Sequence, residues 1–228
     1  VEAAHMGWDA LGTDINPLAI LISNAKIQAL RIPADTLEDA CQRLAARLER
    51  QIAGVDCDEP FPDRTARSLM EKAKCRLPNE SYLQNWFTSS VLIQLRLIST
   101  EIAGIADRRV RDVANVILSN SLRDVSLQDP ADLRIRRRSN PQGNYPAVAQ
   151  FISLLRQRTQ NVVAAARVLG TVRGRQRAML CDSRRALAGL SARFDAVITS
   201  PPYATALPYL DTQRLSLAFL GLLSPKEL

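Results

Sequence analysis

Two rhythms of apolar residues divide the chain. Through the middle, apolar positions return every three or four residues, the spacing of one helix face. Leu37, Cys41, Leu44, Leu48 and Ile52 follow a capping-box-like start at Asp35-Thr36-Leu37-Glu38, and Gly54 stops the run. Pro60 and Pro62 break the pattern. It resumes as a predicted helix over residues 64–76. A third helix is predicted from Pro78-Asn79-Glu80 and carries Trp86, Phe87, Val91, Leu95, Ile98 and Ile102. Asp107 opens a fourth, with Val110, Val113, Ile117 and Leu122 on one face. Residues 126–146 are rich in Asp, Pro, Asn and Gly and read as one long loop. A last long helix is predicted over 147–170, burying Phe151, Leu154, Leu155, Val162 and Val163. Trp86 and Phe87 read as core, since aromatic side chains serve packing first.

The two ends of the chain follow another rhythm. Short apolar runs stop abruptly at a polar residue, as buried strands do. Residues 10–13 run into Asp14, residues 177–181 into Asp182, and 194–199 into Ser200-Pro201-Pro202-Tyr203. A helix is predicted after each tip: from Pro17 with Leu18, Ile22, Ala25 and Ala29 on its face, over 184–190, and over 209–221. Residues 1–7 read as a helix end with Gly7 as its stop. The fold class is therefore α/β, with strands near 10–14, 177–181 and 194–199. A large all-helical insertion, residues 34–171, separates a sheet part made of 1–33 and 172–228. Open α/β sheets bind ligands beyond the carboxyl ends of their strands, where Asp14, Asp182 and Ser200 stand. Asp14 suits a ribose, whose two hydroxyls can donate to one carboxylate, or a helix cap. For Asp182 the helix N-cap is again one of the readings.

Charge adds a partner class. The 228 residues carry a formal net charge of +7, which fits a polyanion. Four of the 30 basic residues are Lys, and an Arg skew of that kind also follows from a GC-rich genome. The loop holds Arg134, Arg136, Arg137 and Arg138, either a phosphate-contacting cluster or a solvated charged loop. Tyr145 either stacks on a base or anchors the next helix. Cys41, Cys57, Cys75 and Cys181 lack metal-ligand spacing, and His5 is the one histidine, so neither a metal site nor a His-based triad is expected. The scattered thiols suit a reduced, cytoplasmic setting. No apolar run reaches the roughly 20 residues a membrane helix needs.

Gly12-Thr13-Asp14-Ile15-Asn16-Pro17, Leu180-Cys181-Asp182 and Ser200-Pro201-Pro202-Tyr203 resemble motifs of the amino-group DNA methyltransferases, in chain order. The resemblance covers residues 1–33 and about 172–221 and implies a partial Rossmann-like core. It implies S-adenosylmethionine as cofactor, bound by Asp14 at the ribose, by Asp182 at the adenine amino group, and by Asn16. It implies transfer of a methyl group to an exocyclic amine of a DNA base, cytosine N4 in the first place and adenine N6 as the alternative. The family's Gly-rich loop would precede Val1, so the chain reads as part of a longer protein and is expected to bind cofactor poorly by itself. An RNA base methyltransferase, and a helical nucleic-acid-binding module carrying a degenerate remnant, are the other readings. Tyr209-Leu210-Asp211-Thr212-Gln213-Arg214-Leu215 resembles the segment after this motif in some bacterial relatives, and Asp211 and Arg214 are spaced to pair.

The chemistry explains why such residues suit the task. An aromatic amine is a poor nucleophile because its lone pair is delocalised. The Ser200 hydroxyl and the Pro201 carbonyl, held on a stiff Pro201-Pro202 step, can accept its N–H bonds and free the lone pair. The base must leave the stack to reach them, and Tyr203 would stack on it.

Overall fold

The computed structural model describes residues 1–132, 135–139, 141, 144–170, 172–182, 184, 194–200, 209–224 and 226, with the side chains of 209–212 left aside. In chain order these form α1 (Glu2–His5), β1 (Ala10–Asp14), α2 (Pro17–Ala29), α3 (Ala34–Gln51), α4 (Asp63–Lys72), α5 (Glu80–Leu83), α6 (Ser89–Ala103), α7 (Arg108–Ser121), α8 (Ala147–Leu169), β2 (Gln176–Leu180) and α9 (Tyr209–Phe219). The molecule is α/β, mainly helical, with a small parallel sheet.

The helical body is built on apolar stripes. α3 lies along α8, α7 packs on α2 and α8, and α6 crosses α3, α4 and α8. Leu44, Leu48, Leu95, Ile98, Leu118, Phe151 and Leu155 are sealed from solvent in its centre. The same buried cluster takes in Ala25 and Ala29 of α2 and Leu215, Ala218 and Phe219 of α9. Helices on both sides of the boundaries at 33/34 and 171/172 thus share one core.

Two buried polar side chains hold segments of this body together. Gln94 of α6 donates its amide to Tyr145 O at 3.2 Å and accepts from Val148 N–H at 3.1 Å. It caps the first turn of α8, which has no side-chain cap of its own. Asn144 donates to Cys57 O and Glu59 O and accepts from the Thr88 hydroxyl, joining three segments.

Several boundaries depart from the sequence reading. The Asp35 capping box does not form, because Pro33, two residues earlier, takes the N-cap position of α3. The predicted third helix is two, α5 and α6, and Thr88 caps the second by accepting from Val91 N–H. Asp107 caps α7 through Arg109 N–H, as its sequence suggests. The third strand is not formed: residues 194–200 carry no ladder, and Val197 and Ile198 are 78% and 97% exposed. A parallel strand is stable when layers cover both its faces. Neither a paired edge nor a helix reaches this segment among the described residues.

β1 and β2 pair in parallel, Ala10 opposite Gln176 through Asp14 opposite Leu180. Ala10, Gly12 and Asp14 aim their peptide groups at β2, which leaves those of Leu11 and Thr13 on the outer edge. The far edge of β2 is capped at Ala178. The Asn24 side chain of α2 accepts from Ala178 N–H at 2.9 Å and donates to Ala178 O at 3.0 Å, standing in for a strand.

Candidate site at the carboxyl ends of the strands

The parallel register sets Asp14 beside the end of β2, and Cys181 N–H donates to Asp14 O at 3.0 Å. The tips carrying Asp14 and Asp182 are therefore neighbours, as a shared ligand requires. Asp14 is exposed. Its Oδ1 accepts from Asn16 N–H at 2.8 Å, and its other carboxylate oxygen has no partner among the described residues and is open there to a hydroxyl donor.

Asn16 is spent on structure. Its Oδ1 caps α2 by accepting from Leu18 N–H at 3.0 Å, and its amide donates to Gln213 Oε1 at 2.6 Å. That second bond ties the tip of β1 to α9, the helix after the Ser-Pro-Pro-Tyr stretch. α9 is pinned in turn to the helical body. Ser216 donates to Ser119 O, and Asn79, in the left-handed region at φ 51°, donates to Ala218 O and Leu223 O. Sequence spacing left Gln213 without a role, because its partner lies far away in the chain.

Asp182 is engaged by Arg184. Its carboxylate accepts from Arg184 N–H at 3.0 Å and from the Arg184 guanidinium on both oxygens. The Arg184 side chain, and then its backbone N–H, hold the Asp182 carboxyl down at about 2. The guanidinium is 86% exposed, so this pair yields to a competing donor at little cost.

Ser200 is exposed. Pro201, Pro202 and Tyr203 lie outside the described residues, as do Arg134, the side chain of Asp211 and most of the helix predicted over 184–190. Arg214 has its own partner.

The described loop arginines are engaged by the loop and its neighbours, with Arg136 and Arg137 still exposed. Arg137 donates to Asn85 O and lies over the Trp86 ring at 5.7 Å. Arg138 lies over the Tyr145 ring at 4.7 Å and donates to the carbonyls of Ser126, Gln128 and Asp124. Arg136 pairs with Asp132 at 3.4 Å. A bridge between Gln128 and Arg137 closes the loop on itself. Trp86, Phe87 and Tyr145 are core and anchor residues here, with Tyr145 buried at the foot of α8. The expected phosphate contacts thus use guanidiniums already engaged in holding the loop.

Among the described residues no three of His, Cys, Asp or Glu gather as a metal site. All four cysteines are free, and burial pushes the Cys41 thiol up. No described helix is long and apolar enough to cross a membrane. No family model matches the chain, and neither does any curated protein or solved structure.

Proposed function

We propose that this chain carries the site of an S-adenosylmethionine-dependent methyl transfer to an exocyclic amino group of a DNA base, cytosine N4 before adenine N6. One observation carries the reading: the two acid-tipped strands are parallel neighbours, and Gln213 ties their end to the helix behind the Ser-Pro-Pro-Tyr motif. The residues fit the cofactor in part. Asp14 has a carboxylate oxygen open to a ribose hydroxyl, whereas Asp182 must first release Arg184. Asn16 contributes by aiming the Asp14 loop rather than by contact, since its side chain is engaged at both ends.

When bound, S-adenosylmethionine supplies an electrophilic methyl group on a sulfonium. Every other task falls to the chain. Asp14 orients the ribose. Ser200 Oγ and Pro201 O accept the two N–H bonds of the target amine, which directs its lone pair outward. Tyr203 stacks on the extruded base. Preorganised acceptors and positioning carry the acceleration, and no metal is needed.

Radiolabelled methyl transfer by the full-length protein, compared on DNA and RNA, tests this. Ser200→Ala with Tyr203→Ala should abolish transfer, and Asp14→Ala should remove cofactor binding in calorimetry. Undiminished transfer in the double variant would sink the assignment, and transfer to RNA alone would move it to the RNA reading. The non-catalytic reading has its own support in the saturated Asp182 carboxylate. It is chosen if the full-length protein binds neither cofactor nor methyl acceptor.

A further inference from the structure

An exposed carboxylate grips a ribose well only when its own orientation is set beforehand. Asp14 is exposed, and the hydrogen bond that sets it comes from the Asn16 N–H at 2.8 Å. How Asn16 is held therefore decides where the Asp14 carboxylate points. The Asn16 side chain is buried and makes two bonds of opposite sense. Its Oδ1 is taken by the Leu18 N–H at the start of α2. That leaves the amide nitrogen facing the other way, and a donor there needs an acceptor. Gln213 Oε1, 197 residues on, supplies it at 2.6 Å.

Gln213 can serve as a fixed reference because α9 is anchored elsewhere. Gln213, Ser216 and Leu217 fall on one helix face. Leu217 is fully buried, as is Ala218, and the Ser216 hydroxyl donates to Ser119 O of α7 at 3.2 Å. The far end of α9 is clasped by the segment before α5. Asn79 donates to Ala218 O and Leu223 O, both at 3.0 Å. Gly221, at φ +65°, passes so near Pro78 that a Cβ would stand 3.1 Å from the proline ring. The contacts thus run without a gap from the helical body to the strand tip. Ser119 and Asn79 hold α9, Gln213 on α9 holds Asn16, and Asn16 holds Asp14.

We propose that Gln213 is a positioning residue for the ribose of the cofactor, acting through Asn16 on Asp14; this rests on the reading of Asp14 as the ribose ligand. The helical body thereby acquires a task at the site, as the frame against which the strand tip is set. Two features separate this bond from a plain structural tie. Asn16 Oδ1 caps α2 by itself, so the start of that helix does not depend on Gln213. Leu217, Ser216 and Asn79 fix α9, so its place in the core does not depend on Asn16. The bond is spare for the fold, and what it steers is the short turn from Asp14 to Asn16.

The test is NMR titration of the full-length protein with adenosine and with 2′,3′-dideoxyadenosine, which lacks both ribose hydroxyls. Wild type should prefer adenosine about tenfold or more, as hydrogen bonds to a charged group allow. Gln213→Met, close in size but without the acceptor, should cut that preference to about twofold and leave the affinity for the dideoxynucleoside unchanged. Gln213→Glu keeps an acceptor for the Asn16 amide and should keep the preference. Thermal midpoints of both variants should stay near wild type. A full preference in Gln213→Met overturns the proposal, and so does an equal loss of affinity for both nucleosides, the mark of general loosening. If wild type itself shows no preference, the ribose role of Asp14 falls and this inference with it. A wild-type preference that survives in Gln213→Met refutes Gln213 alone.

Discussion

The helical body and the two-stranded sheet are held by different means. In the body, key polar side chains are buried and engaged: Gln94 and Asn144 lie in the core with partners, and Arg47 and Gln51 converge on a partly buried Glu101. At the sheet, the ion pairs lie in water: Asp9 with Arg175 and Asp182 with Arg184. Burial multiplies the cost of breaking a hydrogen bond, whereas an exposed pair exchanges with solvent almost evenly. Stability therefore resides in the body, and adaptability at the strand ends, where ligands are taken up.

The largest effect should come from the centre of the body. Phe151→Ala empties a fully buried site between α8 and its neighbours and should cost about 3–5 kcal/mol in urea unfolding. Gln94→Leu should come next, at about 1–3 kcal/mol, because it strands the Val148 N–H in the core, while the Tyr145 carbonyl keeps the Ala147 N–H. A shift below about 1 kcal/mol would mean water replaces the amide, and the contrast with the sheet would narrow.

Gly174→Ala should act on the sheet alone. It forces a side chain into the left-handed region and against two carbonyls, at about 1–3 kcal/mol. Hydrogen exchange should accelerate across β1 and β2 and leave α3, α6 and α8 protected. Equal loss of protection in the helices would make sheet and body one cooperative unit.

The smallest effect is electrostatic. The Asp182 carboxyl is depressed in the folded chain, so its contribution is complete above the ordinary carboxylate pKa and is lost as the pH falls through about 2. A carboxyl titration followed by NMR should show that low midpoint, and Arg184→Gln should return it toward the ordinary range. An unmoved midpoint would place the cause elsewhere.

The sequence made the body legible because its signals are local. Asp107, Pro17 and Gly170 mark helix ends, and the stripes of Leu44, Leu48, Phe151 and Leu155 name the core before any fold is known. The break before α6 was also written, in Thr88, but the apolar rhythm ran on through it. The engagement of Arg137 and Arg138 with nearby carbonyls and rings was not legible. A cluster of guanidiniums reads the same whether it faces phosphate or its own carbonyls, and only the fold brought Trp86 and Tyr145 beneath them. The link from Asn16 to Gln213 was invisible for the same reason, as a contact between distant parts of the chain. The strand expected over 194–199 shows the limit of an apolar run as a signal. It records a wish for burial and does not supply the neighbour.

The Asn24 amide makes the sheet a one-way structure. By satisfying both peptide groups of Ala178, it acts as a terminator that no incoming chain displaces without losing two bonds. The opposite flank, along Leu11 and Thr13, carries no such stop among the described residues, so a single side-chain carboxamide biases the side on which this architecture can widen.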